Sequence, residues 1–183
     1  MAEYKFPTEV VNLPSKGKLY PKDNPLSKGE VELKYMTAKE EDILTSINLI
    51  RKGIVIDKVI ESLVVDKKIK VDDLLIGDKN ALMISARILG YTKTYEFLTS
   101  REDDSEATAT VDLTTLNDKE INFKKLTKNV NQFPFKLPNS EREVVLRMLT
   151  HKDEKELGRE AQALQKAKMS TGMTSRMKKI LVS

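Results

Sequence analysis

The chain contains one stretch almost twice, and that repetition limits its fold more than any other feature. Residues 31–44 read VELKYMTAKEEDIL and residues 144–157 read VVLRMLTHKDEKEL. With Thr37 laid over Thr150, both run alternating apolar residues into a threonine, then a lysine, an acidic pair and a leucine. Val31, Leu33 and Tyr35 alternate with Glu32 and Lys34, the period of a half-buried strand. Thr37 then opens a capping box: its oxygen accepts from the amide three residues on, and Glu40 reaches back to the threonine. The same reading makes Thr150 the second helix cap. Two strand-to-helix joints therefore lie near opposite ends of the chain, their strands paired in one sheet or in neighbouring positions, with residues 54–143 inserted between similar halves. The alternative is chance convergence on a good helix start.

The first joint predicts a helix with Ile43, Leu44, Ile47 and Ile50 as its buried stripe and Gly53 as its stop. A second helix fits Asp57–Val65 through Val59, Ile60, Leu63 and Val64. A short helix over Asp72–Ile76 ends at Gly77, and Asp78 caps another through Ala81, Leu82, Ser85, Ala86 and Leu89, closed by Gly90. TYEFLT and ATATVDL flank the polar loop SREDDSE, a β-hairpin region of about 95–123 with a weaker strand at Glu120–Phe123. Pro134 and Pro138 make residues 124–142 an irregular connection. The last helix runs over about 151–169, with Leu157, Ala161 and Leu164 on one side, and stops at Gly172. In residues 1–30, Pro7, Pro14, Pro21 and Pro25 with Gly17 and Gly29 exclude continuous helix. Val10, Val11, Leu13, Leu19, Tyr20 and Leu26 predict that this stretch lies against other surface. The expected architecture is α+β and helix-rich: an extended N-terminal arm over 1–30, one domain over 31–169 with a small antiparallel β-hairpin or sheet, and a basic tail over 170–183.

A chain of 183 residues can bury roughly 70% of its unfolded surface, enough for a core. It has no cysteine, so disulfides and thiolate metal sites are excluded. The N-terminus lacks the apolar run of a signal peptide, and no stretch approaches the roughly 18 apolar residues that cross a bilayer, so no membrane span is expected. Net charge is +4, but from Ala161 onward there are cations (Lys166, Lys168, Arg176, Lys178, Lys179) and no acid. Such a tail suits nucleic acid, an acidic protein face or no partner. It has no aromatic residue for base stacking, which makes nucleic acid the lesser reading.

No catalytic residue, cofactor or metal site is expected. The single histidine, His151, falls in the first turn of a helix and reads as a surface residue, and no Ser has an activating neighbour. Lys16-Gly17-Lys18 lacks phosphate-loop spacing. Glu40, Glu41, Asp42, Asp153, Glu154 and Glu156 fall in opening helical turns, where the macrodipole favours them without a metal. Arg87 interrupts an apolar helix face; it either pairs with a buried acid or snorkels to water. What remains is a scaffold with an apolar arm and a basic, Met-bearing tail (Met169, Met173, Met177), features of a protein that binds proteins unless both fold back on their own core.

NLPSKGKLYP, VELKYMTAKEEDIL, LLIGDKNALMISARILGY and FKLPNSEREVVLRMLTHKDEKEL, in this order over roughly residues 12–157, resemble the baseplate protein family of T-even-type contractile-tailed bacteriophages, which includes a hub-assembly protein. The LPS-K-G-x-x-Y pattern falls on Leu13, Pro14, Ser15, Lys16, Gly17 and Tyr20. M-T-A-x-E-E-D falls on Met36, Thr37, Ala38, Glu40, Glu41 and Asp42, and G-D-[KR]-N-A-L on Gly77–Leu82, with Arg87 and Tyr91 beyond. The resemblance implies a non-enzymatic role in assembling the tail baseplate hub, as subunit or assembly factor, in the host cytoplasm and in the virion baseplate. Its partners would be other hub or tail proteins in a homo- or hetero-oligomer. Leu13, Pro14, Lys16, Gly17, Tyr20, Arg87, Tyr91, Met173 and Met177 are the candidate partner-binding residues, and Thr37, Glu40, Asp78 and Thr150 the structural caps. Some members carry a cysteine pair in the hairpin; this chain has none there, so zinc is not expected. The chain also stops soon after the second joint, which puts a partner contact through that end in doubt. The rival readings are a tail-assembly chaperone absent from the mature virion and a nucleic-acid-binding protein using the basic tail.

Overall fold

A computed structural model describes residues 7–100, 106–118, 123, 126–167 and 173–182. Among them are six α-helices and three two-stranded antiparallel sheets, an α+β fold. The expected loop at 101–105, residues 120–122 of the weaker strand, Met169 and the stop at Gly172 lie outside the described residues.

Strand β1 (Thr8–Asn12) pairs antiparallel with β2 (Glu30–Lys34), Val11 opposite Val31. Alternation along β2 buries Val31 and Leu33 and leaves Glu30 and Glu32 in water. Helices α1 (Ala38–Thr45), α2 (Ile47–Arg51) and α3 (Val55–Leu63) follow, then a 3-10 turn at Val71–Asp73 and the long helix α4 (Ile76–Gly90). The core lies where this first sheet meets α3, the 71–75 turn and α4: Leu33, Ile60, Leu63, Leu74 and Leu82 are each at most 1% exposed.

Residues 7–30 do not form a free arm. Leu13, Leu19, Tyr20 and Leu26 are buried in that same core. Leu13 and Tyr20, expected to meet a partner, are therefore internal, because an apolar side chain here finds the chain's own helices first. Gly17 is internal too: its φ is +69°, and a Cβ there would fall 2.4 Å from the Ser27 carbonyl oxygen, so only glycine fits this close approach of two loops.

The first helix is shorter than its apolar pattern suggests. The chain leaves helical geometry at Ser46, whose ψ is 105°, and restarts as α2. That break turns Ile47 and Ile50 outward, 64% and 52% exposed, instead of into the core. Asp78 is not a helix cap either. The helix begins at Ile76, with Leu75 as its N-cap, and runs through Gly77.

Beyond α4 come β3 (Thr94–Ser100) and β4 (Glu106–Asp112), the expected hairpin. Residues 133–136, expected to be irregular, form β5 (Phe133–Lys136), which pairs with β6 (Glu143–Leu146) of the second joint. Pro134 is tolerated because a two-stranded sheet has only edge strands. The strands of the two joints thus belong to different sheets and do not pair. Helix α5 (His151–Lys166) follows.

Within the tail, residues 173–180 are helical rather than frayed. Helix α6 (Met173–Ile180) packs back: the Arg147 amide donates to the Ile180 carbonyl at 2.8 Å, and the Val182 amide to that of Val145 at 2.8 Å. Arg176 pairs with Glu154 at 3.0 Å and Lys179 pairs with Glu156. The Arg176 pair is partly solvated, so Arg176→Ala should lower unfolding free energy by less than about 1 kcal/mol in urea titrations, with the cost shrinking further in high salt.

Candidate docking surface

The two joints share one plan: a buried acid three residues after the threonine takes the threonine amide and hydroxyl and a cation. In the first, the Glu40 carboxylate is fully buried and accepts from the Thr37 amide (2.9 Å), the Thr37 hydroxyl (2.5 Å), Lys34 Nζ (2.8 Å) and the Ser62 hydroxyl (2.5 Å). In the second, Asp153 accepts from the Thr150 amide (2.9 Å) and hydroxyl (2.9 Å), while the Arg147 guanidinium grips both its oxygens at 2.7 and 2.8 Å. Burial alone would raise the pKa of either acid; the donors outweigh it and hold each at about 2. A cation three residues before the threonine completes each joint. Lys34 and Arg147 stand in register in the sequence, and that shared offset is the signal that could have found them.

The middle of the chain is tied by two further buried acids. Asp78, in the first turn of α4, accepts from the Ser15 amide (3.0 Å) and the Tyr20 hydroxyl (2.6 Å), and that hydroxyl accepts from the Leu75 amide (2.8 Å). Burial, then the Asp78 charge, push the Tyr20 phenol far above its ordinary pKa, so it stays a donor. Asp78 thus latches the LPSKGKLY segment to α4. Asp57, on α3, takes Lys79 Nζ at 2.7 Å and lies 2.8 Å from His151 Nε2; Lys155 sits 4.0 Å away and pairs with Asp72 at 2.8 Å. Burial would raise the Asp57 pKa, but hydrogen bonds from Lys79 and His151 lower it on balance. His151 is buried, not on the surface as its position suggested. Its nitrogen finds Asp57, 94 positions away in sequence.

Of the predicted partner-binding residues, the structure gathers Arg87 and Tyr91 into one site. They line an apolar groove of about 420 Å³ with Met36, Leu44, Ile56, Met83, Tyr95 and Leu113. The Arg87 guanidinium carbon lies 4.4 Å from the Tyr91 ring centroid and 5.8 Å from that of Tyr95, a cation–π clamp. Its Nη1 is buried with no hydrogen-bond partner among the described residues. The remaining predicted residues are scattered. Lys16 is exposed with its ammonium 5.6 Å from the Phe123 ring, Pro14 is half-buried, Met177 is 46% exposed on α6, and Met173 begins that helix.

Sequence reading missed the hairpin as part of this site. Every residue of β3 is exposed. Tyr95 and Phe97 point to one face, as residues two apart in a strand must, and their rings stack with centroids 6.0 Å apart. Val111 and Ala109 stand opposite them on β4, so the ribbon has an apolar face continuing from the groove. The alternation was visible in YEF and ATATV; the absence of any core against that face was not. Among the described residues no group of His, Cys, Asp and Glu is arranged to hold a metal ion, and no helix is long and apolar enough to cross a membrane. The chain matches no family model, no curated protein and no solved structure.

Proposed function

We propose that this chain is a protein-docking component in the assembly of a contractile phage tail baseplate hub, acting through the β3–β4 ribbon and the groove at its base. The observation that carries the docking part is the ribbon's uncovered apolar face: Tyr95 and Phe97 are 44% and 41% exposed, next to Leu98 at 69% on the opposite side. An isolated two-stranded ribbon is marginal in water, and contiguous exposed apolar surface marks interaction sites. The baseplate assignment rests on the ordered resemblance of four segments to the T-even-type family. Acidic residues on α5 already engage two cations of the tail, which leaves less of it for nucleic acid.

The test is co-purification with the hub and tail proteins of the same genome. Phe97→Asp gives up the stack on Tyr95 and strand propensity, so it should lower stability by about 1–2 kcal/mol while the core, which does not include it, stays folded. It should weaken the complex at least ~10-fold, the loss of about 1.4 kcal/mol expected for one aromatic anchor. Complexes that survive Phe97→Asp and Tyr95→Asp undiminished would refute the reading. Leu13 and Tyr20 are unsuitable targets, because a charge in the core would unfold the protein. Mass spectrometry of purified particles then separates a retained subunit from a chaperone that leaves.

A further inference from the structure

We propose that the groove beneath the ribbon receives a segment of a protein partner in which an acidic side chain is flanked by aliphatic ones, with the carboxylate paired to Arg87. This rests on the docking reading above and specifies the chemistry of what docks.

The argument begins with an unmet donor. Buried N–H groups are almost always paired, and each exception calls for a physical account. Arg87 Nη1 is such an exception among the described residues, and Arg87 forms no ion pair among them. Glu41, the acid that α1 offers on this side, acts on the Tyr91 hydroxyl instead and holds that phenol above its ordinary pKa. The guanidinium is not left to wander. Tyr91 and Tyr95 lie within 4.4 and 5.8 Å of it, so its planar fork is held before any acceptor arrives. A planar fork matches a carboxylate with two parallel hydrogen bonds.

The walls decide what the carboxylate is attached to. Met36, Leu44, Ile56, Met83 and Leu113 are apolar, and the volume of about 420 Å³ lies in the range of ligand pockets. A free hydrated anion would lose its water there without apolar contacts in return, whereas an acid between Leu, Ile, Val or Met residues fills the walls and meets the fork together. Methionines at the rim adapt to more than one such side chain. Among the described residues no further strand pairs with either edge of the ribbon onto which the groove opens, so the backbone of an incoming segment also finds hydrogen-bond partners.

The experiment selects peptides from a random library on the immobilised full chain and measures the winners by fluorescence anisotropy. The expected result is enrichment of Asp or Glu beside aliphatic residues. Arg87→Met, which keeps the apolar stem, should weaken these peptides at least ~20-fold. Changing the peptide's acid to its amide should cost about the same on wild type and almost nothing further on Arg87→Met, the signature of a direct pair. Arg87→Lys should restore only part of the affinity. Winners without an acid, or winners indifferent to Arg87→Met, overturn the proposal. If such winners are nevertheless lost on Phe97→Asp, docking stands and only the carboxylate inference falls. If nothing is selected and the chain instead dimerises through Arg87, the occupant is a second copy and the proposal is wrong. If nothing is selected and complexes with tail proteins also ignore Phe97→Asp, both readings fall together.

Discussion

Asp78→Ala should lower the free energy of unfolding by about 3–5 kcal/mol and release residues 13–26 from the core. Asp78 is 1% exposed, and its two oxygens are the acceptors for the Ser15 amide and the Tyr20 hydroxyl. Alanine leaves two buried donors unmet at ~1–3 kcal/mol each, and removes a favourable charge from the first turn of α4 worth about 0.5 kcal/mol more. That is a large share of the 5–15 kcal/mol typical of a folded domain. Urea titration gives the size of the loss, and hydrogen exchange gives its place: the Leu13 amide, bonded to the Gly29 carbonyl at 2.8 Å, should lose protection before amides of α3 do. Tyr20→Phe keeps the ring and removes only the hydroxyl, so it should cost less, about 1–2 kcal/mol. A latch that can be cut without loss of stability would mean the N-terminal segment is held by apolar burial alone.

The second large effect is on acid stability. Glu40 and Asp153 titrate at about 2 in the folded chain, below the ordinary carboxylate range. In the unfolded chain they bind protons first as pH falls. The stability they contribute is therefore complete above about pH 4.5 and drains away between there and about pH 2. A tenfold change in acidity corresponds to about 1.4 kcal/mol, so the Glu40 joint alone should lose on the order of 2–3 kcal/mol over that window. Glu40→Ala should cost about 3–5 kcal/mol at pH 7, because it takes away the acceptor that the Lys34 ammonium and two hydroxyls share. It should also flatten the acid limb of the stability curve. Asp153→Ala should do the same more weakly, since Asp153 is 8% exposed against 0% for Glu40 and makes, among the described residues, no bond to another helix comparable to that from Ser62. Equal effects from the two variants would show that exposure and the link to α3 do not matter here.

Local rules recovered much of this fold. The threonine boxes at 37 and 150 follow from a three-residue offset, β2, β3, β4 and β6 from alternation, and the positive φ at Gly53 from the helix stop it was expected to provide. What failed was set by distant parts of the chain. His151 is buried because Asp57 lies on a helix almost a hundred residues earlier, and Asp78 turns from cap to latch because Ser15 and Tyr20 arrive beside it. Ile47 and Ile50 satisfy a helical stripe, yet one break at Ser46 rotates them out of it. Pro134 argued against a strand, but an edge position asks nothing of its missing N–H. For the candidate site, Arg87 was legible as an oddity on an apolar helix, and Tyr91 entered only through the family resemblance. Tyr95 and Phe97 were not legible, because alternation alone cannot tell a covered face from a bare one.

The ribbon of β3 and β4 also has a geometric meaning. The six steps between the seven residues of each strand, at about 3.3 Å each, carry its far end, at Ser100 and Glu106, about 20 Å from its root. On the docking reading proposed above, a partner that also grips that end makes two contacts about 20 Å apart, and the length of the ribbon sets their spacing.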